Sequence, residues 1–347
     1  MVEGVGPGSL YEYELDEKTL HPDPASRFQP RGTRGPSQVI DHRAFPWSDQ
    51  AWPGVPKHRL VIYEMHVGTF TDQGSFRAAI SRIPELVDLG ITAIELMPVA
   101  QTSGRWNWGY DGVAPFSVRD SYGEPDDLRA FVDACHEAGV AVLLDVVYNH
   151  LGPEGIDFAE FGPYLSSRHR TPWGPTLDFD GPGSEVMRRF VVDNALELLR
   201  DYHLDGLRLD CVHWMLDESE PTVLDELRRE ISDFERDEGR KIHLIAETNV
   251  YDPDLPSTRP DRPPFDAIWC DCLMHSVYSI GRTDLQLTQR SYRGAEDLLA
   301  ALRHGYVFAG REQTRVDGHQ RQEHLRRGAG EHLASFIIAL QTHDAPG

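Results

Sequence analysis

Lysine is almost missing from this chain. Lys18, Lys57 and Lys241 are the whole complement in 347 residues, beside 56 acidic side chains. Lys241 opens an apolar segment at the end away from any candidate site, so a Schiff-base aldolase has no nucleophile. Basic residues total 34 and the formal net charge is -22. That charge repels a phosphate backbone or an anionic lipid surface, which excludes nucleic acid and membranes as partners. Cysteine is scarce too: Cys135, Cys211, Cys270 and Cys272 form no C-x-x-C pair. Cys270 and Cys272 stand two apart in an apolar run and read as buried thiols on one strand face, in a reducing, cytoplasmic setting. No apolar stretch approaches the roughly 18 residues of a membrane span, and the N-terminus has no charged start followed by an apolar core. Neither a G-x-G-x-x-G after the first strand nor a Walker-type loop is present, so a nucleotide-binding sheet lacks its phosphate cradle.

What the chain does have is a rhythm. From Leu60 onward, RLVIYEMHV, ITAIELMPV, VAVLLDVVY, GLRLDCV, IHLIAE, FDAIWC and SFIIALQTH are short apolar runs with strand character. FRAAISRIPELVDLG, PDDLRAFVDACHEAG, EVMRRFVVDNALELLRDY and AEDLLAALRHG carry the helical period between several of them. Near-continuous apolar strands alternating with helices mean a parallel sheet covered on both faces. The fold expected is α/β, a (β/α)8 TIM barrel. Residues 1–56 are rich in Pro, Gly and Asp, with one alternating piece, Leu10 to Leu15, that reads as a half-buried strand. The charged run HQRQEHLRR, His319 to Arg327, reads as a solvated loop or helix face.

Four of the strand segments end in an acid: Asp145, Asp210, Glu247 and Asp344. Barrel strands all point one way, so their C-terminal acids converge on the rim where barrel enzymes keep their chemistry. Arg208 precedes Asp210 by two residues and shares its face, which suits an ionised nucleophile or electrostatic stabiliser. Glu247 follows Ile245 and Ala246, an apolar setting suited to a general acid. A magnesium-dependent barrel would also use strand-end acids, but it adds basic residues for an anionic substrate. Here the neighbourhood supplies Trp106, Trp108, Tyr110, Trp173 and Trp214 instead, flat surfaces suited to sugar rings, with NWGYDG reading as loop.

The stretches GITAIELMPV, DVVYNH, DGLRLDCVH, HLIAETN and QTHD occur in that order at strand ends. Together they resemble the conserved regions of the alpha-amylase superfamily, glycoside hydrolase family 13. The resemblance covers residues 1–280 well and 281–335 poorly. It implies Asp210 as nucleophile, Glu247 as acid/base and Asp344 as the carboxylate that holds sugar hydroxyls in the transition state. It implies Arg208, His150, His343, Tyr110, Trp108 and His213 as substrate-binding residues, with Asp145 and Asn149 structural at the site. The activity implied is retaining hydrolysis of alpha-1,4-glucans, with maltooligosyltrehalose as favoured substrate and trehalose as product. A branching transglycosylase and an inactive glucan-binding fragment are the alternatives. No cofactor is needed; calcium accompanies many members, and one Asn and one Asp here occupy family positions.

The resemblance also sets the expected boundaries. Residues 1–56 resemble the tail of an N-terminal β-sandwich module with its linker, and 57–347 a barrel truncated after its seventh strand. Asp344 is followed by Ala345, Pro346 and Gly347, where the family pattern continues with Gln and a Gly-Asn pair. A barrel without its eighth strand keeps two rows of unpaired backbone groups, so the chain alone is expected to aggregate or be marginally stable.

Overall fold

The structure, a computed structural model, describes residues 4–16, 19–248, 252, 254–260, 262–281, 292–307, 313–314, 320–321 and 335–345. It divides into two compact units, Met1–Leu209 with Trp214–His243, and Asp210–His213 with Leu244–Gly347.

In the first unit β1 (Ile62–Met65), β2 (Ala93–Leu96), β3 (Ala141–Val146) and β4 (Gly206–Leu209) pair in parallel in that order. β2, β3 and β4 are buried at every residue. A parallel strand covered on both faces has no solvent side, which is why these runs are apolar apart from the buried Glu95, Asp145 and Arg208 rather than alternating. Gly206 opens β4 because a Cβ there would sit 2.2 Å from the His243 carbonyl oxygen.

Helices separate the strands. FRAAISRIPELVDLG forms two helices instead of one, α1 (Phe76–Ile80) and α2 (Ile83–Asp88). Pro84 is the cause: it cannot donate to a continuing ladder but is tolerated in the first turn of a new helix. α3 (Pro125–Glu137) starts with a Glu124/Asp127 capping box and buries Leu128, Phe131, Val132 and Cys135 at helical spacing. α4 (Glu185–Asp201) buries Met187, Val191, Ala195 and Leu198. α5 (Val223–Glu238) lies outside the segments expected to be helical. Thr222 and Asp225 cap it reciprocally, Gly239 closes it at φ 66°, and Val223, Leu227, Ile231 and Phe234 form its buried stripe.

Residues 10–38 form two short antiparallel pairs, Leu10–Tyr11 with Ser37–Gln38 and Tyr13–Leu15 with Thr19–His21. The single strand expected from Leu10 to Leu15 is thus two strands serving different ladders. Arg27 donates to Glu197 of α4 and, further along, Ser48 to Asp133 of α3 and the Trp52 indole to Asp205 at 2.7 Å, so these residues and the stretch up to Trp52 belong to the same unit as β1 to β4.

The second unit holds β5 (His243–Glu247), β6 (Ala267–Trp269) and β7 (Phe336–Ile337), parallel in that order, with β5 entering it at Leu244. Helices α6 (Cys272–Gly281) and α7 (Ala295–His304) follow β6. All seven segments read as strands are strands, and their parallel pairing with interleaved helices fits a (β/α)8 fold. Two expectations need correction. Cys270 and Cys272 do not share a strand face: β6 ends at Trp269, Cys272 opens α6, and the two buried thiols meet at 3.3 Å across this strand-to-helix corner. β7 is short and ends at Ile337, so Asp344 is not a strand-end residue; it lies in a turn bridged by Thr342 and Ala345. Of HQRQEHLRR, Gln320 and Arg321 pair with Gln313 and Thr314, and the rest lies outside the described residues.

Candidate active site

The first unit contributes a buried ion pair. Arg208 in β4 and Asp145 in β3 are register partners in the parallel ladder, so the pleat turns both side chains to the same face. Arg208 Nη1 donates to Asp145 Oδ2 at 2.7 Å, with 1% and 0% of the two side chains exposed. The same carboxylate oxygen accepts from the Tyr110 hydroxyl at 2.7 Å. The strand end, the guanidinium and the tyrosine of NWGYDG are therefore one assembly.

That loop is built in detail. Gly109 adopts φ 104°, and a Cβ there would stand 2.1 Å from the Pro98 carbonyl oxygen, so no other residue fits. Asn107 holds the turn by accepting from Gly109 N–H at 2.7 Å and donating to Asp111 at 3.1 Å. Arg119, fully buried, donates to the carbonyls of Gly104, Arg105 and Asn107. Burial keeps the His66 imidazole below its ordinary pKa, and His66 Nε2 lies 3.0 Å from the Asn107 carbonyl and 2.9 Å from the Tyr122 hydroxyl. The framework leaves Trp106 72% and Trp108 51% exposed, which agrees with a platform better than with core. Asn149 and His150 are buried and bonded to each other, and the His150 ring is stacked under Trp173 with centroids 5.2 Å apart. Trp173 is half exposed and packs edge-on to Trp214.

The second unit brings together the two acids read as the reacting pair. Asp210 is the first residue past β4 and Glu247 the last of β5; both are buried. A carboxylate oxygen from each and the Cys211 sulfur all lie within 4.8 Å of one another. Cys211 is the residue that sequence reasoning missed. Its φ of 43° puts a non-glycine residue in the left-handed region, a conformation costing on the order of 1–3 kcal/mol. In that conformation its N–H points at Glu247 and donates to the carboxylate at 2.7 Å, fixing the acid's orientation. Nothing in the dipeptide Asp-Cys signals such a turn. His213 meets the Thr248 hydroxyl at 3.3 Å. Asp344 has its side chain 52% exposed, 3.5 Å from the His343 ring.

Calcium requires six to eight oxygen ligands. The Asn149 side-chain oxygen faces His150 Nδ1, and among the described residues no group of three potential metal-binding side chains includes Asp145.

Parallel strands with interleaved helices carry buried acids at or near their ends, and residues 43–171 match the family described as Alpha amylase, catalytic domain. Over those residues the chain carries the alpha-amylase catalytic-domain pattern. The chain is similar to malto-oligosyltrehalose trehalohydrolases: 35% identical to that of Saccharolobus solfataricus over 100% of this chain and 60% of that protein, and 40% identical to that of Deinococcus radiodurans over 99% and 55%. Among solved structures, a Salmonella typhimurium protein assigned as an alpha amylase superposes with TM-score 0.84 at 38% identity, covering 92% of this chain and 55% of that one. The chain thus spans about half the length of the curated relatives it matches. No helix among the described residues is long and apolar enough to cross a membrane.

Proposed function

We propose that the protein hydrolyses alpha-1,4-glucosidic bonds with retention of configuration, releasing trehalose from the end of maltooligosyltrehalose. The observation that carries the chemistry is the spacing of Asp210 and Glu247. Retaining glycosidases hold their two carboxyl groups about 5–5.5 Å apart, whereas an inverting pair stands about 6.5–9.5 Å apart to admit a water. One oxygen of each carboxylate lies within 4.8 Å of the other, which agrees with the shorter, retaining separation. In this reading Glu247, aimed by the Cys211 amide, protonates the glycosidic oxygen as it leaves. Asp210 attacks the anomeric carbon and forms a glycosyl ester; water then opens the ester while Glu247 accepts its proton. Asp344 and His343 hold sugar hydroxyls, and so do Arg208, His150 and His213, while Tyr110 and Trp108 offer ring faces to the sugar. Asp145 and Asn149 keep the strand-end groups in place.

The substrate preference rests on the relatives, several of which carry the trehalohydrolase name at 35–44% identity over most of this chain. The complete gene product is to be assayed on maltooligosyltrehalose and on maltohexaose. Trehalose release from the first at well above the rate of maltohexaose cleavage is expected, with the freed maltooligosaccharide appearing first as its α-anomer by NMR. Equal cleavage of both, without trehalose, contradicts the substrate; a β-anomer contradicts the mechanism.

A further inference from the structure

One cavity is lined by none of the residues given a role in the proposed reaction. It is formed wholly within the first unit, by the segment Asp49–Pro53, by Arg200 and His203 at the end of α4, and by Phe234, Glu238 and Arg240 at the end of α5. Its volume is about 410 Å³, within the range of small-molecule sites.

Trp52 is its rigid wall. One face of the indole is stacked on the His136 ring, with centroids 4.6 Å apart and planes 12° from parallel. Its N–H is tied to Asp205 Oδ1 at 2.7 Å, so the ring cannot turn. Trp52 is half-buried and lines the cavity, and with one face covered it can offer only the other. Behind it stands a charged lattice: His136 bridges Asp49 at 2.8 Å and Asp205 at 2.9 Å, and Asp49 also takes His203 at 2.9 Å. Such a lattice holds the wall in one orientation before anything binds, which lowers the ordering cost of recognition.

The polar groups around the wall are of mixed sign. Arg200 lies over the Phe234 ring, 5.8 Å from its centroid, and is exposed; Glu238 is exposed opposite in charge. Arg240 is committed to the Leu199 and His203 carbonyls at 2.9 Å each, closing the end of α4. A strongly anionic ligand would meet Asp49 and Glu238, and a cation would meet Arg200 and Arg240. A neutral polyol has neither conflict: its hydroxyls donate to carboxylates and accept from guanidinium N–H groups, and the apolar C–H face of a pyranose ring lies flat on an indole.

We propose that this cavity is a second carbohydrate-binding site, taking about one or two glucosyl units of an alpha-glucan, with Trp52 as platform and Arg200 and Glu238 as hydroxyl partners. The choice of a glucosyl ligand rests on the functional reading above. It would hold a distal part of a long substrate, or a neighbouring chain, while the reacting acids work elsewhere.

Hydrogen–deuterium exchange on the complete gene product carrying Asp210→Asn, with and without maltotriose, tests it. Slowed exchange is expected both at residues 49–53 with 234–240 and at residues 208–213 with 247. Adding Arg200→Ala and Glu238→Ala, both on exposed side chains, should abolish the first protection and leave the second. In the otherwise wild-type protein the same two substitutions should leave turnover of short maltooligosyltrehalose unchanged. Protection at 208–213 and 247 alone overturns the second site and leaves the proposed function standing. Protection nowhere overturns both, and protection at 49–53 that survives the double substitution overturns the assignment of Arg200 and Glu238.

Discussion

Asp145→Ala would strip the Arg208 guanidinium of the carboxylate it is packed against. Both side chains are essentially unexposed, at 1% and 0%, so water cannot replace the lost partner. Removing one member of a buried ion pair costs about 3–5 kcal/mol, because the remaining charge loses a close counter-charge in a place water does not reach. The Tyr110 hydroxyl loses its acceptor in the same step, adding about 1–3 kcal/mol if it finds no other. By contrast the exposed pair Arg189–Asp193, one turn apart on α4, is worth about 0.3–0.5 kcal/mol. Asp145→Asn separates the two terms: it keeps an acceptor for Tyr110 and removes the charge. The double variant Asp145→Leu/Arg208→Met, with neither charge, should be less damaged than Asp145→Ala alone, which is strong coupling between neighbours. Urea midpoints followed by near-ultraviolet circular dichroism on the complete gene product give the numbers. A loss below about 1 kcal/mol for Asp145→Ala, or a double variant that merely adds the single effects, would falsify the claim that this pair is a buried, mutually dependent unit.

Three further outcomes follow from local geometry. Burial alone would lower the His136 pKa, but the hydrogen bonds and charges of Asp205 and Asp49 reverse this and raise it. Its stabilisation is therefore fully present below about pH 6.5, its unfolded value, and lost as pH rises through the raised folded value. Asp49 behaves oppositely: burial raises it, its bonds to His136 and His203 prevail, and its pKa falls to about 2, so its contribution is lost as pH drops from about 3.8 through about 2. The stability gap between wild type and His136→Asn should consequently narrow above neutral pH, and a gap that widens there contradicts the bridge. Gly109→Ala must either move Pro98 or abandon φ 104°, so a drop of at least about 1–3 kcal/mol with loss of glucan turnover is expected; an unchanged thermal midpoint counts against the strained loop. At Cys211, glycine should retain activity and gain up to about 1 kcal/mol from relieved backbone strain, while valine should lose both, and equal behaviour of the two variants refutes a role for the left-handed turn.

The barrel strands were legible because burial on both faces imposes nearly continuous apolar runs, and Asp145, Asp210 and Glu247 were legible because each stands at or within a residue of the end of a strand, a charged group beside an apolar run. α5 was written in the sequence as well, in Thr222, Asp225 and the Val223–Leu227–Ile231 stripe, but its many charged residues masked the period. The split at Pro84 was equally available to a reading that gave proline its due weight. The Cys211 turn was not legible, since cysteine has no local preference for a positive φ and the bond to Glu247 that accompanies it joins residues 36 apart in sequence. Neither was the buried arginine Arg119, whose three carbonyl partners are brought to it only by the folded loop. Asp344 was misplaced because an apolar run, Phe336 to Leu340, reads as strand although Ile338 and Leu340 are exposed and only Phe336 and Ile337 pair.

The central claim is that Asp210 becomes covalently glycosylated while Glu247 handles the proton. Its most direct test uses the Glu247→Gln variant of the complete gene product and α-maltosyl fluoride, whose fluoride leaves without acid assistance, so that the ester forms and its hydrolysis is slowed. Mass spectrometry of the proteolysed protein should find the maltosyl adduct on the peptide containing Asp210, and no adduct after Asp210→Asn. An adduct on a different carboxylate, or one that persists unchanged in the Asp210→Asn protein, would contradict the account.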